Sequence, residues 1–261
     1  MTTNPVFCAI DAPTLDEAKR LIGLISGAVC GIKLGLEFFM AEGPEGIRTA
    51  RPAGMPLFLD IKLHDIPNTV AGAIRSVVPL GPTYITIHAS GGRAMMKAAA
   101  EAAESEANKL GVPRPKLLGV TVLTSLDVAD LEAVGQGMEV SAQVERLARL
   151  AEQSGLDGVI CSPHEIARLR RVLKPTSVLM VPGIRPAGSE AGDQKRMMTP
   201  KEAMEAGATH LVIGRPITAA PDPAAAARAI AADLGLTIDP AAAAPVPAGD
   251  TAATAAGTPA P

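Results

Sequence analysis

Tryptophan is absent from the 261 residues, and the chain carries one Tyr and four Phe, so aromatics make up only 2% of it. That removes the stacking platforms on which single-stranded nucleic acid is held. An excess of basic charge is missing too. Lys and Arg number 24 against 27 Asp and Glu, a net charge of -3, which leaves no cationic surface to attract a phosphate backbone. Cysteine is scarce, and Cys8, Cys30 and Cys161 are too dispersed for a zinc motif. Lying in apolar runs, they are expected to be buried free thiols of a reducing compartment. No apolar run reaches the ~18 residues that a membrane span needs. The opening MTTNPVFCAIDAP lacks the basic segment and apolar core of a secretory signal. These absences predict a soluble, cytoplasmic protein that binds neither nucleic acid nor membrane.

What is present is an alternation. Short apolar runs at 6–10, 29–34, 57–62, 84–88, 117–123, 158–161, 178–181 and 210–213 are each followed by a helical stretch. Thr14 caps a periodic Leu15, Ala18, Leu21, Ile22 and Ile25; a helix covers 36–50; Pro67 and Thr199-Pro200 open two others, proline being suited to the first turn. The runs are apolar on both faces, as buried parallel strands are. Eight such repeats at this length predict a closed (β/α)8 TIM barrel, an α/β fold, over 1–237. The alternative is an open doubly wound sheet, but Ile10-Asp11-Ala12-Pro13 lacks the glycine fingerprint that would follow its first strand. The Ala/Pro-rich stretch 238–261 has almost nothing to bury and is expected to be a disordered tail.

One run is interrupted. The segment 58–69 reads FLDIKLHDIPNT. In a strand Asp60 and Lys62 share a face, with Leu59 and Ile61 on the other. A buried strand gains little from two charges there, since an apolar pair is usually at least as stable. Asp65 follows where the strand turns to loop. A buried salt bridge is the plainer interpretation; an acid, a base and a second acid at a strand end also read as a reactive site. Barrel enzymes keep their chemistry at the C-terminal ends of the strands. Asp11, Lys33, Asp60, Lys62, Thr124, Ser125, Gly183, Arg185, Gln194, Gly214 and Arg215 all fall there. Gly214-Arg215-Pro216, with the loop after strand seven, reads as a phosphate site: backbone N–H groups, a permissive glycine and a bidentate cation. The glycine-containing stretch 182–197 reads as a lid. His64, His88, His164 and His210 show no paired-ligand spacing, so no metal is expected. His88 is expected to be a hydrogen-bonded structural residue, and His64 has no role.

DIKLHDIPNT at 60–69, AID at 9–11, IKLGLEFF at 32–39, TVLTS at 121–125, VPGIRP at 181–186, Gln194 and IGRPI at 213–217 together resemble the bacterial type of the orotidine 5′-phosphate decarboxylase family. The resemblance runs up to the tail. It implies conversion of orotidine 5′-monophosphate to UMP and CO2 without metal or organic cofactor. By matching position it implies that Lys62 is the proton donor at C6, within an array of Lys33, Asp60, Lys62 and Asp65. It further implies that Asp65, Ile66 and Thr69 come from the second subunit of a homodimer, and that Asp11 and Lys33 hold the ribose. Thr124 and Ser125 would face the pyrimidine, and Pro182 would line the substrate site. Arg185, Gly214 and Arg215 would bind the phosphate, with Gln194 linking lid, phosphate and base. Other members of the superfamily share Asp-x-Lys-x-x-Asp but use Mg2+ on keto-sugar phosphates as decarboxylases or aldolases. A non-catalytic sugar-phosphate-binding barrel would be expected to lack Lys62.

Overall fold

The computed structural model describes residues 4–136, 139–186 and 198–238. Eight parallel strands close in sequence order into a barrel: β1 Val6–Ile10, β2 Gly31–Gly35, β3 Leu57–Leu63, β4 Tyr84–His88, β5 Lys116–Val120, β6 Gly158–Ile160, β7 Val178–Val181 and β8 His210–Ile213. Around them lie α1 Leu15–Ile25, α2 Leu36–Ala50, α3 Pro67–Val77, α4 Gly92–Leu110, α5 Val128–Ala133, α6 Val140–Gln153, α7 Ile166–Val172, α8 Pro200–Glu205, α9 Arg215–Thr218 and α10 Pro223–Asp233. The TIM barrel read from the alternation is therefore the observed fold. The expected tail lies, apart from Ile238, outside the described residues.

Local signals explain most helix starts. Thr14 Oγ1 accepts the Glu17 amide at 3.4 Å, and Thr199 with Glu202 forms a capping box ahead of Pro200, which satisfies amides that the helix itself leaves orphaned. α2 departs from the continuous helix expected. It breaks at Gly43, whose φ of 65° lies in the left-handed region, and restarts at Pro44, because proline suits a first turn and cannot sit inside one. Strand five also ends earlier than its apolar run, at Val120. Residues 121–123 continue as irregular chain, with Thr121 Oγ1 donating to the Ile160 carbonyl at 2.9 Å.

Strand alternation sorts the core into two layers. Cys8, Ile10, Ile32, Leu34, Leu57, Leu59, Ile85 and Ile87 face the helices. Phe7, Phe58, Tyr84, Leu118, Val178, Met180 and Val212 fill the barrel's inside. Three of the chain's few aromatics thus plug the N-terminal end of the barrel. Phe7 and Tyr84 meet edge to face at 5.6 Å, and His210 closes on Tyr84 at 5.3 Å. Gly31 makes room for this plug, since a Cβ there would come within 2.6 Å of the Phe7 ring and 2.4 Å of the Pro56 carbonyl.

β3 is not a regular strand. From Leu59 to Leu63 it advances four residues while β4 advances two, from Ile85 to Ile87. Within that bulge Lys62 adopts a φ of 48°, and among the described residues no other non-glycine residue has a positive φ. A left-handed backbone costs an L-residue roughly 1–2 kcal/mol, so something must hold it.

Candidate active site

The C-terminal ends of the strands surround a cavity of about 270 Å3. Its charged side is built from three adjacent strands. Lys33 Nζ on β2 lies 3.1 Å from Asp11 Oδ1, just past β1, and 3.8 Å from Asp60 Oδ2 on β3. Lys62 Nζ lies 2.8 Å from the same Asp60 oxygen. Acid, base, acid and base therefore alternate across the mouth. The middle pair is largely withdrawn from solvent, with side-chain exposure of 12% for Lys33 and 13% for Asp60, whereas Asp11 is 64% exposed. Charges this buried persist only when paired and hydrogen-bonded. Asp60 meets both conditions, because its second oxygen accepts the Thr86 hydroxyl at 2.9 Å.

The part of the wall at the ends of β7 and β8 is cationic and backbone-rich. Pro182, Gly183, Arg185, Gly214 and Arg215 line it. Gly183 has a φ of 79°, a conformation that suits glycine. The Nε of Arg185 is buried without a hydrogen-bond partner among the described residues. A buried guanidinium donor left without an acceptor is costly, and an anionic oxygen in the cavity would supply one. The two ends of the loop after β7 are tied together: Ile184 bridges Met198, and the Arg185 amide donates to the Met198 carbonyl at 3.1 Å. The rest of that expected lid, and with it Gln194, lies outside the described residues. The rest of the wall is apolar, built by Phe58, Val120, Val122, Leu123, Ile160, Cys161 and Val212, and Thr124 lines the cavity as well.

Of the residues singled out in the sequence, Asp11, Lys33, Asp60, Lys62, Thr124, Pro182, Arg185, Gly214 and Arg215 line this one cavity. Ser125 does not. It is exposed and stands outside the wall, next in the chain to Thr124, which lines it. Asp65, Ile66 and Thr69 are likewise exposed and absent from the wall of their own chain's cavity; the Asp65 carboxylate accepts the Ile66 amide at 2.6 Å. His88, expected to be held by hydrogen bonds, instead lies 5.3 Å ring to ring from His64. Burial first, then the charges of His64 and Lys62, push its imidazole below the usual range. The three thiols are free, but only Cys8 and Cys161 are buried. Burial pushes Cys8 up to about 12 and raises Cys161 as well, so neither is a ready nucleophile. Among the described residues no three His, Cys, Asp or Glu side chains gather as a metal site. No described helix is long and apolar enough to cross a membrane.

Sequence reasoning missed Thr86, which is fully buried. A threonine in an apolar run reads as an ordinary strand former, and only its contacts reveal otherwise. It also missed the apolar wall, which its pattern could not separate from core.

A profile of the orotidine 5′-phosphate decarboxylase / HUMPS family matches residues 4–230. The chain belongs to this family. It is 56% identical over 233 residues to the orotidine 5′-phosphate decarboxylase of Paramagnetospirillum magneticum, covering 89% of this chain and 99% of that protein. It is 52% identical over 232 residues to that of Moorella thermoacetica, covering 88% and 92%. The crystal structure of orotidine 5′-phosphate decarboxylase from Lactobacillus acidophilus superposes with a TM-score of 0.77 at 36% identity, covering 88% of this chain and 99% of that one. Family membership thus rests on the whole barrel rather than on the charged motif alone.

Proposed function

We infer that this chain is an orotidine 5′-phosphate decarboxylase, a carboxy-lyase that forms UMP and CO2 in pyrimidine biosynthesis. The observation that carries the reading is the Lys62 ammonium, held 2.8 Å from Asp60 inside a cavity that Arg185 and Arg215 also line. In this reading the phosphate takes Arg185, Arg215 and the backbone at Gly214, and the ribose hydroxyls take Asp11 and Lys33. The base lies along the apolar wall with C6 toward Lys62. The C6–carboxylate bond breaks, CO2 leaves, and its electron pair stays on C6. The fixed ammonium stabilises that charge as it develops and then gives C6 its proton. Lys62 is left as a neutral amine and regains a proton from water. Asp60 and Lys33 keep the ammonium aimed, so little reorganisation accompanies the reaction. Phosphate binding energy, remote from C6, holds the base in place and is realised in turnover as well as affinity.

The site is completed, in the same reading, by a second copy of the chain. Asp65, Ile66 and Thr69 are exposed and do not line their own cavity; Ile66 is 67% exposed, and Leu36 and Met40 on α2 are exposed apolar groups as well. A homodimer would bury these apolar groups and deliver Asp65 to the partner's array. Mixing Lys62→Ala with Asp65→Ala protomers then regains activity, since one site of each mixed dimer is intact; no recovery would place Asp65 outside the site.

The deciding measurement is the ultraviolet change of orotidine 5′-monophosphate with purified, metal-stripped protein in excess EDTA. Turnover under those conditions supports the cofactor-independent reaction. Turnover of a keto-sugar phosphate that EDTA abolishes would overturn it.

A further inference from the structure

The threonines of the barrel divide into two kinds. Thr209 Oγ1 accepts the Leu179 amide and donates to the Leu179 carbonyl, both at 2.9 Å, and Thr121 donates to the Ile160 carbonyl at 2.9 Å. Thr121 joins backbone to backbone, and Thr209 does so while also meeting the His210 Nδ1 at 3.1 Å, at the barrel end away from the cavity. Thr86 contacts no carbonyl. Its Oγ1 accepts the Lys62 amide at 2.9 Å and donates to Asp60 Oδ1 at 2.9 Å. A hydroxyl has one hydrogen, so the direction is set: with the Lys62 amide on a lone pair, that hydrogen goes to the carboxylate. The contact falls inside the β3 bulge, where β4 supplies two residues against four and where Lys62 holds a φ of 48°. Strained backbone of this kind persists only where its surroundings over-determine it.

We propose that Thr86 is a positioning residue for the reaction: its one hydroxyl pins the bulged Lys62 backbone and the Asp60 carboxylate together, and so aims the Lys62 ammonium into the cavity. Asp60 Oδ2 is free to face the two ammoniums because Oδ1 is already engaged. The plainer alternative, a buried threonine that only stabilises the strand pair, predicts that Thr86 and Thr209 behave alike.

The proposal rests on the decarboxylase reading. Thr86→Val keeps shape and removes the hydroxyl, so kcat falls roughly 10- to 100-fold while the Kd for UMP changes less than about 3-fold. Thr86→Ser, which keeps the hydroxyl, stays within about 3-fold of wild type in kcat. Thr209→Val melts earlier yet keeps its kcat. A kcat for Thr86→Val within 3-fold of wild type, an equal loss in Thr86→Ser, or a matching kcat loss in Thr209→Val would overturn the proposal. Thr86→Ala takes the place of the valine variant if that one does not fold, and failure of both to fold overturns the proposal in favour of the structural role. If the wild-type chain does not decarboxylate orotidine 5′-monophosphate, the functional reading falls, and hydrogen exchange at the Lys62 amide judges Thr86 alone. Faster exchange in Thr86→Val but not in Thr86→Ser sustains the pinning; unchanged exchange refutes it.

Discussion

The two ends of the barrel are built from the same strands yet do opposite work. At the N-terminal end Phe7 and Tyr84 fill the interior as a plug, with Phe58 packed on them and lining the cavity on its other side, and the plug's His210 is held at about 4, mainly by burial and then by Lys116. Two residues further along β3, Phe58 gives way to Asp60, and two further again to Lys62, both in the cavity wall. Two residues along β4, Tyr84 gives way to Thr86, which is tied to Asp60. The plug satisfies its members by packing and by contacts among themselves, the Tyr84 hydroxyl meeting His210 Nε2 at 3.3 Å. The mouth keeps charges half-withdrawn from water and, among the described residues, leaves the Arg185 Nε without an acceptor. Stability is concentrated where nothing remains to be bound, and the strained, charged end is left to the chemistry.

That contrast breaks down if a mouth substitution unfolds the protein or a plug substitution alters turnover of the folded fraction. The largest effect belongs to Lys62→Ala. Loss of both the charge and the proton donor should lower kcat by at least about 10^4-fold with the melting temperature unchanged or raised. Near-normal kcat would remove Lys62 from the chemistry. Phe7→Ala should cost about 3–5 kcal/mol in stability, followed by circular dichroism since tryptophan is absent, and leave kcat of the folded protein intact. A lower kcat without lost stability would show the two ends to be coupled. Arg215→Ala should weaken UMP binding by about 100-fold and leave uridine binding nearly unchanged; equal losses would remove Arg215 from the phosphate.

The smallest effect is in pH dependence. The folded chain holds His210 at about 4 against an ordinary 6.5, so between those values the unfolded chain binds a proton that the folded chain does not. This contribution to stability is fully present above pH 6.5 and is lost as pH falls toward 4. His210→Gln should therefore be less stable than wild type at neutral pH but show a flatter decline from pH 6.5 to 4 in denaturant titrations. An unchanged slope would mean that the plug is wetter than its contacts indicate.

How much was legible beforehand depended on the range of the interaction involved. Runs such as 178–181 and the capped start at Thr199 are set by neighbours in the chain, and they were read to within a residue or two. Lys33, Asp60, Lys62 and Arg215 were legible because charge at a strand end has few other uses. The end of strand five was set too late because an apolar run does not state where pairing stops. Thr86 was invisible because its side chain looks like any strand former until the residue opposite it is known.

Period and composition alone therefore determined a barrel of eight repeats with its charges gathered at one rim, since alternating burial and helix caps are local properties of the chain. The tertiary structure decided the bulge in β3, the left-handed turn at Lys62 and the hydroxyl that spans them. Those depend on a mismatch in length between two strands, which exists only once they lie side by side.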